Sequence, residues 1–126
     1  MFALSLQREF SARHHLIGGD WGPENLDHAH PYRMELRLEG PSLDEHGYLV
    51  DLIEVERLLE EQVARVRDKS LNDLPEFAGL NPSLEHFARI LAAALAGELP
   101  PTRLTALEVR LWESETAWAS YRVDLP

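Results

Sequence analysis

Polar and apolar positions alternate from the start of the chain. Phe2, Leu4, Leu6, Phe10 and Ala12 share one parity, while Ser5, Gln7, Glu9 and Ser11 take the other, with Arg8 the exception on the apolar side. Period two predicts a half-buried strand, and it places His14 on the apolar face. Gly18-Gly19-Asp20-Trp21-Gly22-Pro23 predicts a loop. A second strand begins near His28. Met34, Leu36 and Leu38 alternate there with Arg33, Glu35, Arg37 and Glu39, and His28, His30 and Tyr32 extend the apolar parity toward the loop. Gly40-Pro41 ends the strand, and Asp44-Glu45-His46-Gly47 predicts a turn.

The period then changes. Leu52, Val55, Leu58, Leu59, Gln62, Val63 and Val66 recur at three and four, which predicts a helix of about 15 residues with Asp51 as N-cap. Residues 71–80 are expected to be mostly loop. Leu84, Phe87, Ala88, Leu91, Ala94 and Leu95 mark a second helix. Asn81 is its expected cap, with Pro82 at the first helical position. Ser83 is the rival cap, although a capping box would then place Glu or Gln where His86 stands. Gly97 is expected to close the helix, and Pro100-Pro101 breaks the chain. Leu107, Val109 and Leu111 alternate with Glu108, Arg110 and Trp112, and a last strand carries Tyr121, Val123 and Leu125. The order is strand, strand, helix, helix, strand, strand. It predicts an α+β fold, an antiparallel four-stranded sheet with two helices on one face, formed by residues 1–126 as one domain. Such a sheet has exposed edges, and joining them between subunits is one way to protect them.

Composition narrows the function. The chain has 126 residues, 44% of them hydrophobic, enough for a sizeable core. Twelve Lys and Arg face 22 Asp and Glu, a formal charge of −10. That argues against nucleic acid or a membrane surface as partner, though a few arginines can still form a local pocket for an anionic substrate. The absence of cysteine excludes disulfides, thiolate metal sites and thiol catalysis. No apolar run approaches the roughly 20 residues of a membrane helix. Met1 to Ser11 carries Arg8 and Glu9 and does not read as a signal peptide, so a cytoplasmic protein is expected.

Three histidines carry the candidate chemistry. His28 and His30 lie two apart on a strand and point to one side. His14 arrives from the neighbouring strand with matching parity, and His15 has the opposite parity. An H-x-H pair alone is compatible with unrelated polar histidines near a loop. A third of matching parity points to a three-nitrogen metal site, which on a tetrahedral zinc leaves one position open for chemistry. His46 and His86 read as surface residues.

Phe10-Ser11-Ala12-Arg13-His14 followed by Asp27-His28-Ala29-His30-Pro31-Tyr32-Arg33 resembles the zinc signature of the 6-pyruvoyltetrahydropterin and 6-carboxytetrahydropterin synthases. The similarity continues through Gly47-Tyr48-Leu49-Val50-Asp51-Leu52, Leu71-Asn72-Asp73, Asn81-Pro82-Ser83-Leu84-Glu85 and Trp112-Glu113-Ser114. It spans most of the chain, with Ala29 where the family more often has glycine. The resemblance implies a T-fold, commonly assembled into hexamers whose active sites lie between subunits. It implies Zn2+ on His14, His28 and His30, and a 7,8-dihydroneopterin triphosphate substrate converted by a lyase to a tetrahydropterin or carboxytetrahydropterin, the latter in queuosine biosynthesis. It further implies that Glu113 anchors the pterin by accepting hydrogen bonds, and that Ser83 contacts substrate. The parity of Val109 and Leu111 independently points Glu113 inward. Arg13, Arg33 and Lys69 are phosphate candidates.

Two family features are replaced. The usual base is a cysteine four residues before the first histidine of the pair, and Glu24 stands there. An Asp-His pair is expected before Leu71-Asn72, and Arg67-Asp68-Lys69-Ser70 stands there, with Asp68 the candidate substitute. A carboxylate is intrinsically a weaker base than a thiolate. Relatives with glutamate in place of the cysteine cleave the side chain toward a hydroxymethylpterin, so Glu24 as base keeps that reaction open. A non-catalytic zinc- or pterin-binding oligomer is the third reading.

Overall fold

In a computed structural model describing residues 1–126, the first alternation forms strand β1, Phe2–His14, and the second forms β2, His28–Gly40. They pair antiparallel without interruption, from Phe2 opposite Gly40 to His14 opposite His28. An unbroken ladder preserves parity along its whole length. Leu6, Phe10, Ala12 and His14 are therefore buried together, and so are Tyr32, Met34, Leu36 and Leu38. Arg8 interrupts the apolar face by reaching out to Glu60, at 3.1 Å.

Helix α1, Leu52–Val66, begins as expected at Asp51, whose carboxylate accepts from the Ile53 and Glu54 N–H groups. Its buried stripe is Val55, Leu58, Leu59, Gln62, Val63 and Val66. Leu52 is not part of it: at the first helical position it is 42% exposed. Residues 71–73 and 75–77 form short 3-10 turns within the expected loop, and these sink Leu71 and Phe77 into the core.

Helix α2 runs Leu84–Glu98, and its N-cap is Ser83, not Asn81. The Ser83 hydroxyl accepts from His86 N–H at 3.1 Å, while Asn81 is engaged elsewhere, as described below. Gly97 does not end the helix either. It lies inside the last turn, and Leu99 is the C-cap, extended with ψ 131°. The following Pro100 explains this, because a proline disfavours helical geometry in the residue before it.

Strands β3, Ala106–Trp112, and β4, Trp118–Asp124, complete an antiparallel sheet in the order β1-β2-β3-β4. Leu125 falls just beyond β4, held by its N–H to Thr105 O at 2.9 Å. Helix α2 crosses β3 and β4, and α1 lies beside β1. Both helices cover one face, and a cluster of 25 buried residues fills the space between. The opposite face carries the charged rows, including Arg37 with Glu39 and Arg110 with Glu35. No helix is long and apolar enough to cross a membrane.

Candidate metal centre and adjoining cavity

The end of the β1–β2 ladder places His14 directly across from His28, and His30 across from Ala12. All three rings share the helix-covered face. Their centroids lie 4.6 Å (His14–His28), 4.7 Å (His14–His30) and 5.0 Å (His28–His30) apart. One nitrogen from each lies within 4.8 Å of the others. Three imidazoles this close form a donor set suited to a divalent transition metal.

The surroundings prepare these rings as ligands. His28 Nδ1 lies 2.8 Å from Leu26 O. A carbonyl only accepts, so Nδ1 carries the proton and the Nε2 lone pair is free. His14 Nδ1 is held by Tyr32 Oη at 2.9 Å, and when Nδ1 is the donor to that hydroxyl the Nε2 lone pair is free. Such partners fix tautomer and orientation in metal-binding histidines. His14 is buried, and its pKa falls to about 4, first through burial and then through His30 and His28. It is neutral at neutral pH, as a metal ligand must be.

Tyr32, which the sequence pattern left as a core aromatic, is a further candidate for the site. It packs on Phe10 at 5.6 Å and edge-on to Phe87 at 5.1 Å. Burial raises its phenol pKa well above the ordinary value, and Glu113 raises it further. Its parity, two residues beyond His30, was the available signal. Tyr32 thus joins the histidines to a cavity of about 560 Å³ that it lines with Glu9, Arg33, Trp112 and Glu113. Strand β3 ends at Trp112, but Glu113 stays half-buried, its N–H donating to Ala117 O at 3.3 Å in the β3–β4 turn. Glu113 lines this cavity, whose wall is shared by residues of both strand parities.

The remaining candidates stand apart. Glu24 is exposed on a 3-10 turn, Gly22–Asn25, and its carbonyl accepts from Leu16 N–H at 2.8 Å. Asp68 is also exposed. It terminates α1 in the left-handed region, φ 59°, and its N–H donates to Ser11 O at 2.7 Å. Ser83 caps α2, which engages one lone pair and leaves its O–H free to donate. Arg13 is paired with Asp27 at 2.7 Å, in a cluster that includes Ser70 and, at 3.7 Å, His15. The Arg13 hydrogen bond is the main cause holding the Asp27 carboxyl below its usual range. Lys69 is exposed.

Side-chain amides secure the segment between the strands. Asn72 bonds both the N–H and the C=O of His15, each at 3.0 Å. Asn81 does the same for Ile17, at 2.7 and 3.2 Å. Asn25 donates to Leu16 O and Gly19 O and accepts from Trp21 N–H. Each amide does for this irregular backbone what a neighbouring strand would do for a regular one.

The sequence matches the model of the 6-pyruvoyl tetrahydropterin synthase family over residues 3–124. The chain belongs to that family. Solved structures agree on the fold. A Caenorhabditis elegans 6-pyruvoyl tetrahydropterin synthase superposes with TM-score 0.82 at 22% identity, covering 98% of each chain. A Plasmodium vivax 6-pyruvoyltetrahydropterin synthase whose catalytic glutamate is mutated to alanine gives TM-score 0.77 at 14% identity, covering 99% of this chain and 100% of that one. A dihydroneopterin aldolase from Burkholderia, bound to guanine, gives TM-score 0.50 at 14% identity, covering 97% and 88%. No curated protein matches the sequence. The sheet and helices are the T-fold of these synthase structures, and family membership makes the chain a tetrahydropterin synthase-like lyase.

Proposed function

We propose that this chain is a zinc-dependent lyase acting on the side chain of 7,8-dihydroneopterin triphosphate. The observation that carries the proposal is the joining of two sites by one residue. Three convergent histidines, two with their second nitrogen already engaged, connect through Tyr32 to a cavity holding Glu113. His14, His28 and His30 would hold the metal. Zinc bound there supplies a Lewis acid that acidifies side-chain hydroxyls and stabilises oxyanions. Glu113, an acceptor when ionised, takes the ring amino and ring N–H hydrogens and sets the ring's orientation. Glu24 and Asp68 are the proposed proton-transfer carboxylates, and Ser83 offers its free O–H to the substrate. Both carboxylates are exposed and stand apart from the histidines, and in this reading they act when substrate or a neighbouring subunit closes over them.

The reaction outcome divides into two readings. Elimination of triphosphate with all side-chain carbons retained gives the pyruvoyl type of product, whereas carbon loss gives the carboxy or hydroxymethyl type. A specific observation favours side-chain cleavage to a hydroxymethylpterin instead: the chain has no cysteine, and Glu24 occupies the place of the base. The P. vivax synthase, whose mutated catalytic residue is a glutamate, supports a carboxylate in a catalytic role on this fold.

Metal-loaded protein incubated with dihydroneopterin triphosphate, with products read by mass spectrometry, decides between them. Carbon loss with a hydroxymethylpterin product supports cleavage with Glu24 as base, and Glu24→Gln should then lower turnover by roughly 100-fold or more. Triphosphate release with all carbons retained supports pyruvoyl chemistry. Tight pterin binding without turnover would replace both with a non-catalytic binding role. We further propose that the protein works in the cytoplasm and that copies assemble through the edges of β4 and of β1, the latter covered by residues 68–70 only at Ser11 and Arg13. A monomer in analytical ultracentrifugation would refute the assembly.

A further inference from the structure

Arg33 differs from every other arginine of the chain. Arg8, Arg13, Arg37, Arg57, Arg65, Arg67, Arg110 and Arg122 each pair with a carboxylate. Arg89 lies 3.2 Å from a His86 nitrogen, and Arg103 donates to Leu43 O. Arg33 has no ion pair and no hydrogen bond, and its Nε is buried without a partner; Arg110 Nε is likewise buried without a hydrogen bond, but Arg110 has carboxylates at 3.7 and 3.9 Å. Acceptors are not scarce around it. Glu9 is its cross-strand neighbour, and Glu113 and Glu115 line the same cavity. Its guanidinium instead lies over Trp112, 4.2 Å from the ring centroid. Trp112 is its partner in the β2–β3 register, so two adjacent strands hold the stack in place.

A guanidinium anchored by its face keeps its edge unpaired, and with Nε buried the two terminal Nη groups are the ones left for a ligand. The cavity therefore presents two opposite kinds of polar group. Glu113 when ionised only accepts hydrogen bonds, and Arg33 only donates them. A flat ring carrying an amino group and a ring N–H beside a carbonyl satisfies both at once. A neutral ring with two amino groups keeps one amino N–H for Glu113 but turns a ring-nitrogen lone pair toward that carboxylate and sets an N–H donor against the donors of Arg33, so Glu113 shares in the preference and the Arg33 variants isolate the part due to Arg33. We infer that Arg33 is a specificity-determining residue that donates to the ring carbonyl and selects a 2-amino-4-oxo heterocycle over its 2,4-diamino counterpart. This inference rests on the pterin reading of the site given above.

The test is equilibrium binding, followed by ligand fluorescence, of 7,8-dihydroneopterin and of a matched 2,4-diaminopteridine. Omitting the triphosphate removes phosphate contacts from the comparison. The full-length wild-type protein should prefer the oxo ring. Arg33→Met keeps bulk over Trp112 and should weaken oxo-ring binding roughly 10- to 100-fold, the range for a hydrogen bond to a charged group. Its binding of the diamino ring should hold or improve. Arg33→Lys keeps the charge without the planar fork and should show a smaller loss, again confined to the oxo ring. Glu113→Gln should weaken both ligands. An equal loss of both ligands in both Arg33 variants would mean that Arg33 only shapes the cavity, overturning the inference. Unchanged discrimination in proteins that still depend on Glu113 would overturn it as well, leaving the pterin reading intact. Failure of wild-type protein to bind either ring would overturn both.

Discussion

His14, His28 and His30 stand on paired strands, whereas Glu24, Asp68 and Ser83 stand on a loop, a helix exit and a helix entry. The first group is located by a backbone ladder that runs the length of two 13-residue strands. Each pair of that ladder helps to fix where the rings point. The second group is located by a few isolated hydrogen bonds, many of them from side-chain amides. Asn72 and Asn81 clamp His15 and Ile17, and Leu16 N–H in turn holds the carbonyl of Glu24. The candidate metal ligands thus lie in the most regular part of the fold, and the proposed proton-transfer carboxylates in its more adjustable part. A site divided in this way can keep its metal while its reaction changes.

The sharpest division is expected from His28→Ala. It should abolish stoichiometric metal binding, measured by metal analysis after dialysis, while the ladder and the circular dichroism spectrum persist. Retained one-to-one metal would refute the three-histidine site.

The pH dependence of stability comes next. His14 titrates at about 4 in the folded chain against an ordinary 6.5. Between those values the unfolded chain binds a proton that the folded chain does not, so stability falls as pH drops from about 6.5 toward 4 and levels off below. The metal-free protein should lose on the order of 2 kcal/mol between pH 6.5 and 5 through this residue. Denaturant titrations at both pH values should show the difference shrink in His14→Gln. An unchanged difference would mean that His14 is not held neutral by burial.

The smallest effect tests the other side of the comparison. Asn81→Ala removes two bonds to one backbone residue and should cost about 1–3 kcal/mol. Limited proteolysis should show earlier cutting within residues 15–27, with metal stoichiometry unchanged. Loss of metal along with the clamp would show that the two regions are not separable.

What the sequence discloses follows the same line. Alternation in β1 and β2 locates all three histidines, because the ladder carries parity to its last pair. The helix periods and the Asp51 cap are legible because their causes are local. Asn81 was misread as a cap because both Asn81 and Ser83 have capping chemistry, and the choice depends on Ile17, far away in sequence. Gly97 misled because its flexibility permits a stop without requiring one, and Pro100 sets the stop instead. Tyr32 looked like core because it is core; only its hydroxyl, 2.9 Å from His14, gives it a second role. The isolation of Arg33 was illegible, since it depends on which carboxylates fail to reach it.

The uninterrupted pairing of β1 with β2 also bears on how such a chain can diverge. Substitutions along the strands alter one contact at a time. Inserting or deleting one residue within either strand, with no bulge to absorb it, would turn the segment beyond it over and send histidines to the wrong face. Between Gly18 and Pro23 the same change need only lengthen or shorten a turn that the asparagine amides hold at its base. Length variation among descendants of this sequence should therefore collect in that turn, beside Glu24, where it leaves the three histidines undisturbed.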